Sequence, residues 1–182
     1  MTWIQTYTGK QFYPLEPRLD DICIEDIAHA LSMICRFNGH TKNFYSVAEH
    51  SVYVSQFCPD NLKLKGLLHD ASEAYISDVG KPIKPELQGY SWIENQLQGA
   101  IEIKFNVCQD PHRFVKEIDR RILADEQMQV MGPHPVEWSQ TRNIEPLGVK
   151  INCWSPNKAE YEFMKLFYEL TNTQLTMDDY EL

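Results

Sequence analysis

The chain has five cysteines (Cys23, Cys35, Cys58, Cys108 and Cys153) but no Cys-x-x-Cys pair. Their odd number and wide spacing argue against a thiolate zinc site and a disulfide framework, and predict a reducing, cytoplasmic setting. No apolar run approaches the roughly 20 residues needed to span a bilayer. The segment Met1-Thr2-Trp3-Ile4-Gln5-Thr6-Tyr7 lacks a basic region followed by an apolar one, so no signal peptide is expected. Positive charge is scarce, with 17 Lys and Arg against 26 Asp and Glu and a net charge of −9. That balance argues against nucleic acid or an anionic membrane as the main partner. A small anionic ligand stays open, because a few cations gathered at one site override a distant acidic surface. Strict strand-like alternation, internal repeats, long linkers and low-complexity segments are also missing.

What is present is an ordinary globular composition, 43% hydrophobic and 24% charged over 182 residues. A chain of this size fits one domain and buries about 70% of the surface its unfolded form exposes. Gly9, Pro14 and Pro17 break up residues 1–23, where a short hairpin or an extended arm is expected. Ile24, Ile27, Ala28, Leu31 and Ile34 recur at helical spacing over 24–35. Ser46 reads as an N-cap, with Glu49 completing a capping box, for a helix that stops near Pro59. Asn61 reads as the cap of a third helix that runs through Leu64, Leu67 and Leu68 into His69-Asp70. Gly80-Lys81-Pro82-Ile83-Lys84-Pro85 is a loop. Further helices are expected over 90–105, 111–131 and 156–171, the last opened by Ser155-Pro156, with 132–154 irregular. The expectation is an all-α helical bundle with a short irregular or hairpin N-terminal segment.

The segment Leu67-Leu68-His69-Asp70-Ala71-Ser72-Glu73-Ala74-Tyr75-Ile76-Ser77-Asp78 carries the chemistry. A lone His-Asp dipeptide is expected by chance in roughly one chain in three of this size. Two further carboxylates, Glu73 and Asp78, follow at about helical spacing, and an adjacent imidazole and carboxylate make a compact chelate for a divalent ion. On a helix His69 and Asp70 would stand about 100° apart, so an ion would lie over the edge between them. His50 and Asp119 are candidate partners on other helices. Two imidazoles and two carboxylates suit Zn²⁺, Mn²⁺, Co²⁺ or Fe²⁺ with positions left open. Each residue also has an ordinary reading: His50 as a core histidine, Asp119 as part of the charged face Asp119-Arg120-Arg121. Spacing leaves these alternatives open.

Arg36, Ala48-Glu49-His50-Ser51, His69-Asp70-Ala71-Ser72-Glu73, Asp78 and Lys116-x-x-Asp119 together resemble the HD-domain phosphohydrolases, closest to their nucleotidase branch with the bacterial 5′-deoxynucleotidases. Two more segments, Trp3-x-Gln5-Thr6-Tyr7-Thr8-Gly9-Lys10-x-Phe12 and Ile34-Cys35-Arg36-Phe37-Asn38-Gly39-His40-Thr41, resemble a phage and bacterial subgroup. That subgroup includes the phage dATP triphosphohydrolases. The similarity runs over about residues 1–125, with the C-terminal third alike only in being helical, and implies one HD domain over 1–182. It implies His50, His69, Asp70 and Asp119 as metal ligands, for Zn, Co or Mn, and leaves room for Mg at a second site. Glu73 corresponds to the carboxylate that positions or deprotonates water, and Asp78 to the acid that contacts the sugar 3′-OH or assists the leaving group. Arg36, Lys84 and Lys116 fall where the family binds phosphate, with Lys81 a weaker candidate and the base expected near Arg36-Phe37. No role falls to His40.

The implied activity is metal-dependent hydrolysis of a small deoxynucleotide, dATP to deoxyadenosine plus triphosphate. The alternatives are a 5′-deoxynucleotidase acting on dNMPs, cleavage of a cyclic nucleotide, and a non-catalytic nucleotide or metal sensor. The resemblance further implies a homo-oligomer, dimer or hexamer, in the cytoplasm, the host's if phage-encoded.

Overall fold

Seven α-helices and one small hairpin make up the regular structure of the described residues. The computed structural model describes residues 2–133, 136 and 138–172. Met1, residues 134, 135 and 137 of the irregular stretch, and the 173–182 end of the expected domain lie outside the described residues. The fold is all-α, as expected. No helix among the described residues is long and apolar enough to cross a membrane.

The N-terminal hairpin pairs β1 (Ile4–Gln5) antiparallel to β2 (Gln11–Phe12), with Ile4 opposite Phe12. It is fastened at two points. Phe12 is fully buried and stacks on Tyr75 at 4.0 Å. Asp26 accepts from the Thr8 backbone N–H at 2.7 Å and from its hydroxyl at 3.0 Å.

The helices are α1 (Ile24–Met33), α2 (Val47–Phe57), α3 (Lys63–Leu67), α4 (Glu73–Ile76), α5 (Tyr90–Lys104), α6 (Phe114–Gln129) and α7 (Pro156–Thr171). Every residue of α2 from Val47 to Ser55 is buried, because α1, α3, α6 and α7 all pack on it. A helix surrounded in this way has no polar face to offer water. Gly66 lets α3 approach most closely: a Cβ there would meet Cys58 Sγ at 2.9 Å and Ser55 Cα at 3.0 Å. Two apolar clusters flank α2. One gathers Ile27, Leu31, Leu67, Leu97, Ile101 and Phe163; the other gathers Tyr45, Val54, Leu62, Ile122 and Ile151, and Trp154 packs against both. Each fully buried aliphatic side chain contributes about 1.5–3 kcal/mol.

Several boundaries differ from the sequence expectation for local reasons. Helix α1 ends at Met33, before Cys35, because residues 34–36 turn extended and pair with 45–47: Arg36 N donates to Tyr45 O at 2.9 Å and Val47 N to Ile34 O at 3.1 Å. Asn61 caps nothing; it lies inside a 3₁₀ turn over Asp60–Leu62, and α3 starts without a side-chain cap. Ser46 does cap α2, accepting from Glu49 N at 3.1 Å, but the reciprocal half of the capping box is absent because the Glu49 carboxylate is used elsewhere. Ser155 caps α7 as expected, accepting from Lys158 N at 3.4 Å.

Helix α6 begins at Phe114, three residues later than expected, because Asp110 holds the turn before it. Its carboxylate accepts from Val115 N at 2.8 Å and His112 N at 3.2 Å. Burial pushes this carboxyl up, but the backbone N–H groups of Val115, Phe114, His112 and Arg113 outweigh it and hold the pKa below the ordinary value. A lowered native pKa means the stabilisation is complete above the unfolded value of about 3.9 and is lost as pH falls through the native one. Asp110→Ala is therefore expected to cost about 1 kcal/mol near neutral pH, with the two urea denaturation midpoints converging as pH falls below 4. A gap unchanged with pH would contradict the assignment.

Candidate metal centre

Three elements bring the candidate ligands together. His50 is on α2, His69 and Asp70 are in the turn joining α3 to α4, and Asp119 is on α6. The turn corrects the expectation that His69-Asp70 sits on a helix, since α3 stops at Leu67. Gln98 of α5 stabilises the break: its side-chain amide donates to Leu68 O at 2.8 Å and accepts from Ser72 N at 3.2 Å. These are backbone groups that a continuous helix would have used itself.

The protonation of both imidazoles follows from their partners. His50 Nδ1 lies 2.7 Å from Glu126 Oε1, and His69 Nδ1 lies 2.8 Å from Gly66 O. A carboxylate and a carbonyl only accept, so each Nδ1 carries the proton and donates. In the neutral rings both Nε2 atoms then present lone pairs, and they face each other at 3.3 Å. Asp119 Oδ1 lies 3.3 Å from His50 Nε2 and 3.9 Å from His69 Nε2. Asp70 Oδ2 lies 3.7 Å and 3.2 Å from the same two nitrogens. Lone pairs and carboxylates converging in this way offer a place for a cation. His50, His69 and Asp119 each aim one ligand atom into a space where these atoms lie within 4.8 Å of one another, so the group could bind a metal ion. The donor set is nitrogen and oxygen, which fits a divalent transition ion.

Without an ion between them, the surrounding charges favour protonation of both rings instead. Burial and Arg36 pull the His50 pKa down, yet Glu126 and Asp119 leave it raised. Burial likewise opposes charge on His69, but Asp70 and Asp119 win and hold it well above its ordinary value. Burial would lift Asp70, but His69 brings it to about 2. Asp119, with its side chain 42% exposed, is held well below the carboxylate range by hydrogen bonds from both imidazoles against burial.

Glu73 and Asp78 move the other way. Glu73, 6% exposed, is pushed well above its ordinary value by burial and then by Asp70 and Asp78, and its buried Oε2 has no hydrogen-bond partner. Asp78 is raised by burial, with Asp70 adding to it and Arg36 opposing. Between them Ser77 sits at φ 66°, ψ 158°, a region almost reserved for glycine that costs about 1–3 kcal/mol. That turn reverses the chain so that both carboxylates end near Asp70.

Arg36 is less free than a phosphate-binding cation would be. Its guanidinium donates to Glu126 Oε2 at 3.1 Å and lies 3.8 Å from Asp70, leaving its buried Nε unpartnered. Phe37, Asn38 and Gly39 are consecutive left-handed residues at φ 54°, 53° and 77°, and the Phe37 ring tilts over Trp138 at 5.9 Å. Lys84 is paired with Glu94 and lies over the Tyr90 ring at 5.6 Å. Lys116 is exposed beside Asp119, and His40 is exposed on the 37–39 turn.

Sequence reading missed Glu126. It is fully buried, accepts from Tyr45 Oη at 3.0 Å as well as from His50 and Arg36, and lies seven residues after Asp119 on the same face of α6. Its pKa is lowered because Arg36 and His50 outweigh burial. A carboxylate behind a ligating histidine fixes its tautomer and raises its basicity. The signal available was an acidic residue at i+7 on the inward face of an amphipathic helix.

No family model matches the chain. It is 42% identical over 173 residues to the uncharacterized protein YfdR of Escherichia coli (strain K12), a match that covers 94% of this chain and 97% of that one. The chain belongs to the YfdR family. An uncharacterized protein of Rhodobacter capsulatus is 35% identical over 115 residues, 58% of this chain and 59% of its own length. In this YfdR-family chain the match spans all three elements that build the cluster.

Proposed function

We propose that the chain is a metal-dependent phosphohydrolase of the HD-domain type acting on deoxynucleoside 5′-phosphates, with dATP cleaved to deoxyadenosine and triphosphate. The observation that carries this reading is the geometry around the two Nε2 atoms, which face each other at 3.3 Å with Asp70 and Asp119 oxygens 3.2–3.9 Å away and the partnerless buried Oε2 of Glu73 on the adjoining turn. The directions agree with it: Asp70 and Asp119 are lowered, while Glu73 and Asp78 are raised. Carboxylates driven apart in this way divide into charge-bearing and proton-moving roles. A pure sensor would need only the first pair.

His50, His69, Asp70 and Asp119 would hold the ion, with Zn, Co or Mn suited to the donors. Such an ion supplies a Lewis acid that lowers the pKa of water from about 16 toward 7. Glu73, with a free buried oxygen, would in its ionised form take the proton of the attacking water as the water oxygen bonds to the α-phosphorus. The bond from phosphorus to the sugar 5′-oxygen breaks, and that oxygen would take a proton from Asp78 or, where Asp78 holds the 3′-OH instead, from solvent. Arg36 and Lys116 offset charge growing on the phosphate oxygens. Phe37 and Trp138 offer an aromatic wall for the base. All five cysteines are free thiols, which supports a reducing cytoplasm, where the substrate pool lies.

The test is a product assay on the purified chain with Co²⁺ or Mn²⁺ and a panel of dNTPs and dNMPs. Deoxyadenosine and triphosphate from dATP are expected. Turnover of dNMPs alone would replace this with the 5′-deoxynucleotidase reading, and nucleotide binding without turnover would replace it with a sensor.

A further inference from the structure

Helix α5 turns one side to the core and leaves an unusual face outside. Leu97 and Ile101 are fully buried beneath it, whereas Trp92 is 60% and Ile103 69% exposed. Trp92, Gln96, Gly99 and Ile103 follow one another at helical spacing, so they form a single outward stripe. The exposed residues of α5 are Ser91, Trp92, Asn95, Gln96, Ile103 and Lys104, and only Lys104, at the helix end, is charged. The chain as a whole is 24% charged, and a surface helix ordinarily turns its charged side to water.

Gly99 sits in the middle of that stripe, and the chain's own packing has no use for it. A Cβ there would meet nothing within 4 Å, and glycine inside a helix is less stable than alanine. Gly66, by contrast, is required by the approach of α3 to α2. What Gly99 supplies is a place where another chain can come close to the α5 backbone. Beside it an open recess of about 430 Å³ is lined by Gly99, Glu102, Ile103, Asn106, Val107 and Gln109. The stripe therefore has a knob at one end, Trp92, and a hollow at the other.

That arrangement is self-complementary. When two α5 helices run antiparallel about a two-fold axis at the level midway between Leu97 and Gln98, Trp92 meets the partner's Ile103 and the recess beside it. Gln96 then meets the partner's Gly99, and the same contacts repeat on the other side of the axis. Asn95, Gln96 and Asn106 are amides, which both donate and accept, so they can meet copies of themselves where a charged residue would meet its own charge. This matters for two chains that each carry a net charge of −9.

We infer that the Trp92–Gln96–Gly99–Ile103 face of α5 is an interface between two copies of this chain, with Trp92 of each copy seated in the recess at the partner's Ile103. Two 15-residue helices, each about 22 Å long and about 10 Å across, bury on the order of 1,000 Å² in total when packed along their length, the lower limit for a specific interface. The dimer is therefore weak and exchanging, with micromolar dissociation, and Trp92 is its main anchor. The assignment is independent of the phosphohydrolase reading and holds whether or not the chain turns over a nucleotide.

The experiment is sedimentation equilibrium of the full chain across the micromolar range. Wild type is expected to pass from monomer to dimer as concentration rises. Trp92→Ala should weaken the association at least about tenfold, as loss of a central aromatic anchor does. Gly99→Ala separates the interface from the fold. Because its Cβ meets nothing within the chain, it should raise the melting temperature of the dilute monomer, yet weaken the dimer at least about fivefold, as an added methyl at a close contact does. Met33→Ala, which removes a side chain of α1 that is 56% exposed, should associate as wild type does. A chain that stays monomeric throughout would overturn the inference and leave the α5 face to a different protein. A dimer untouched by Trp92→Ala and Gly99→Ala would overturn it by placing the interface elsewhere, and an equal loss in Met33→Ala would reduce it to unspecific association.

Discussion

Glu49→Ala is expected to lower stability by about 3–5 kcal/mol, a fall of roughly 6–20 °C in melting temperature for a chain of this size. Glu49 is fully buried in the first turn of α2. Its Oε1 accepts from Tyr53 Oη at 2.8 Å and from the backbone N–H groups of Asn152 and Cys153 at 3.0 Å each. Its Oε2 accepts from Trp154 N at 2.6 Å. Alanine would leave three backbone donors and a phenol without an acceptor, and each unsatisfied buried group costs about 1–3 kcal/mol. Water entering the gap recovers part of that, which sets the upper bound. The damage would spread because the segment held in place contains Trp154, which packs on both apolar clusters and meets the Tyr53 ring at 5.4 Å. Glu49→Gln should recover only part of the loss, because an amide NH₂ would point at a backbone donor. Urea or thermal denaturation checks both. A wild-type midpoint for Glu49→Ala would show that the 150–154 segment is held by its apolar contacts alone.

The same residue shows where sequence reading succeeds and where it stops. Ser46 and Glu49 have capping-box spacing, and local chemistry predicted the start of α2 correctly. The destination of the Glu49 carboxylate depends on a segment about a hundred positions away, and no local pattern carries that information. Helices α5 and α7 were legible because their apolar spacing and flanking breakers act within a few residues. The turn at His69-Asp70 was not, since Leu67 through Ile76 contains no helix breaker. The break depends on Gln98, a side chain from another helix, satisfying Leu68 O and Ser72 N. For the site, His50, His69 and Asp119 form a group that could hold an ion, with Asp70 beside them. Glu126 stayed hidden because a buried carboxylate and a solvated one look alike until Tyr45, His50 and Arg36 are placed around it. Arg36, which the resemblance places among the phosphate-binding cations, makes its shortest ion pair internally, with Glu126 at 3.1 Å.

On the proposed phosphohydrolase reading, Asp70→Ala carries the other large effect, on metal binding and turnover. Wild type is expected to gain about 2.7 kcal/mol at a free Co²⁺ concentration one hundred times the dissociation constant, a rise of roughly 5–11 °C. Asp70 contributes the oxygen that stands 3.2 Å from His69 Nε2 and 3.7 Å from His50 Nε2, on the side of Glu73 and Arg36. Removing it leaves the two imidazoles and Asp119, so the affinity should fall by more than the 10–100-fold typical of losing a mere supporting partner. The thermal shift at the same Co²⁺ concentration should then largely vanish. Turnover should fall at least about a thousandfold, since a lost Lewis acid withdraws several kcal/mol of transition-state stabilisation. The two readouts separate the explanations. Loss of turnover with the thermal shift intact would make Asp70 a substrate contact, and retention of both would remove it from the site. If both are lost while the metal-free melting temperature stays near wild type, the fault lies in the ligand set, with the fold undamaged.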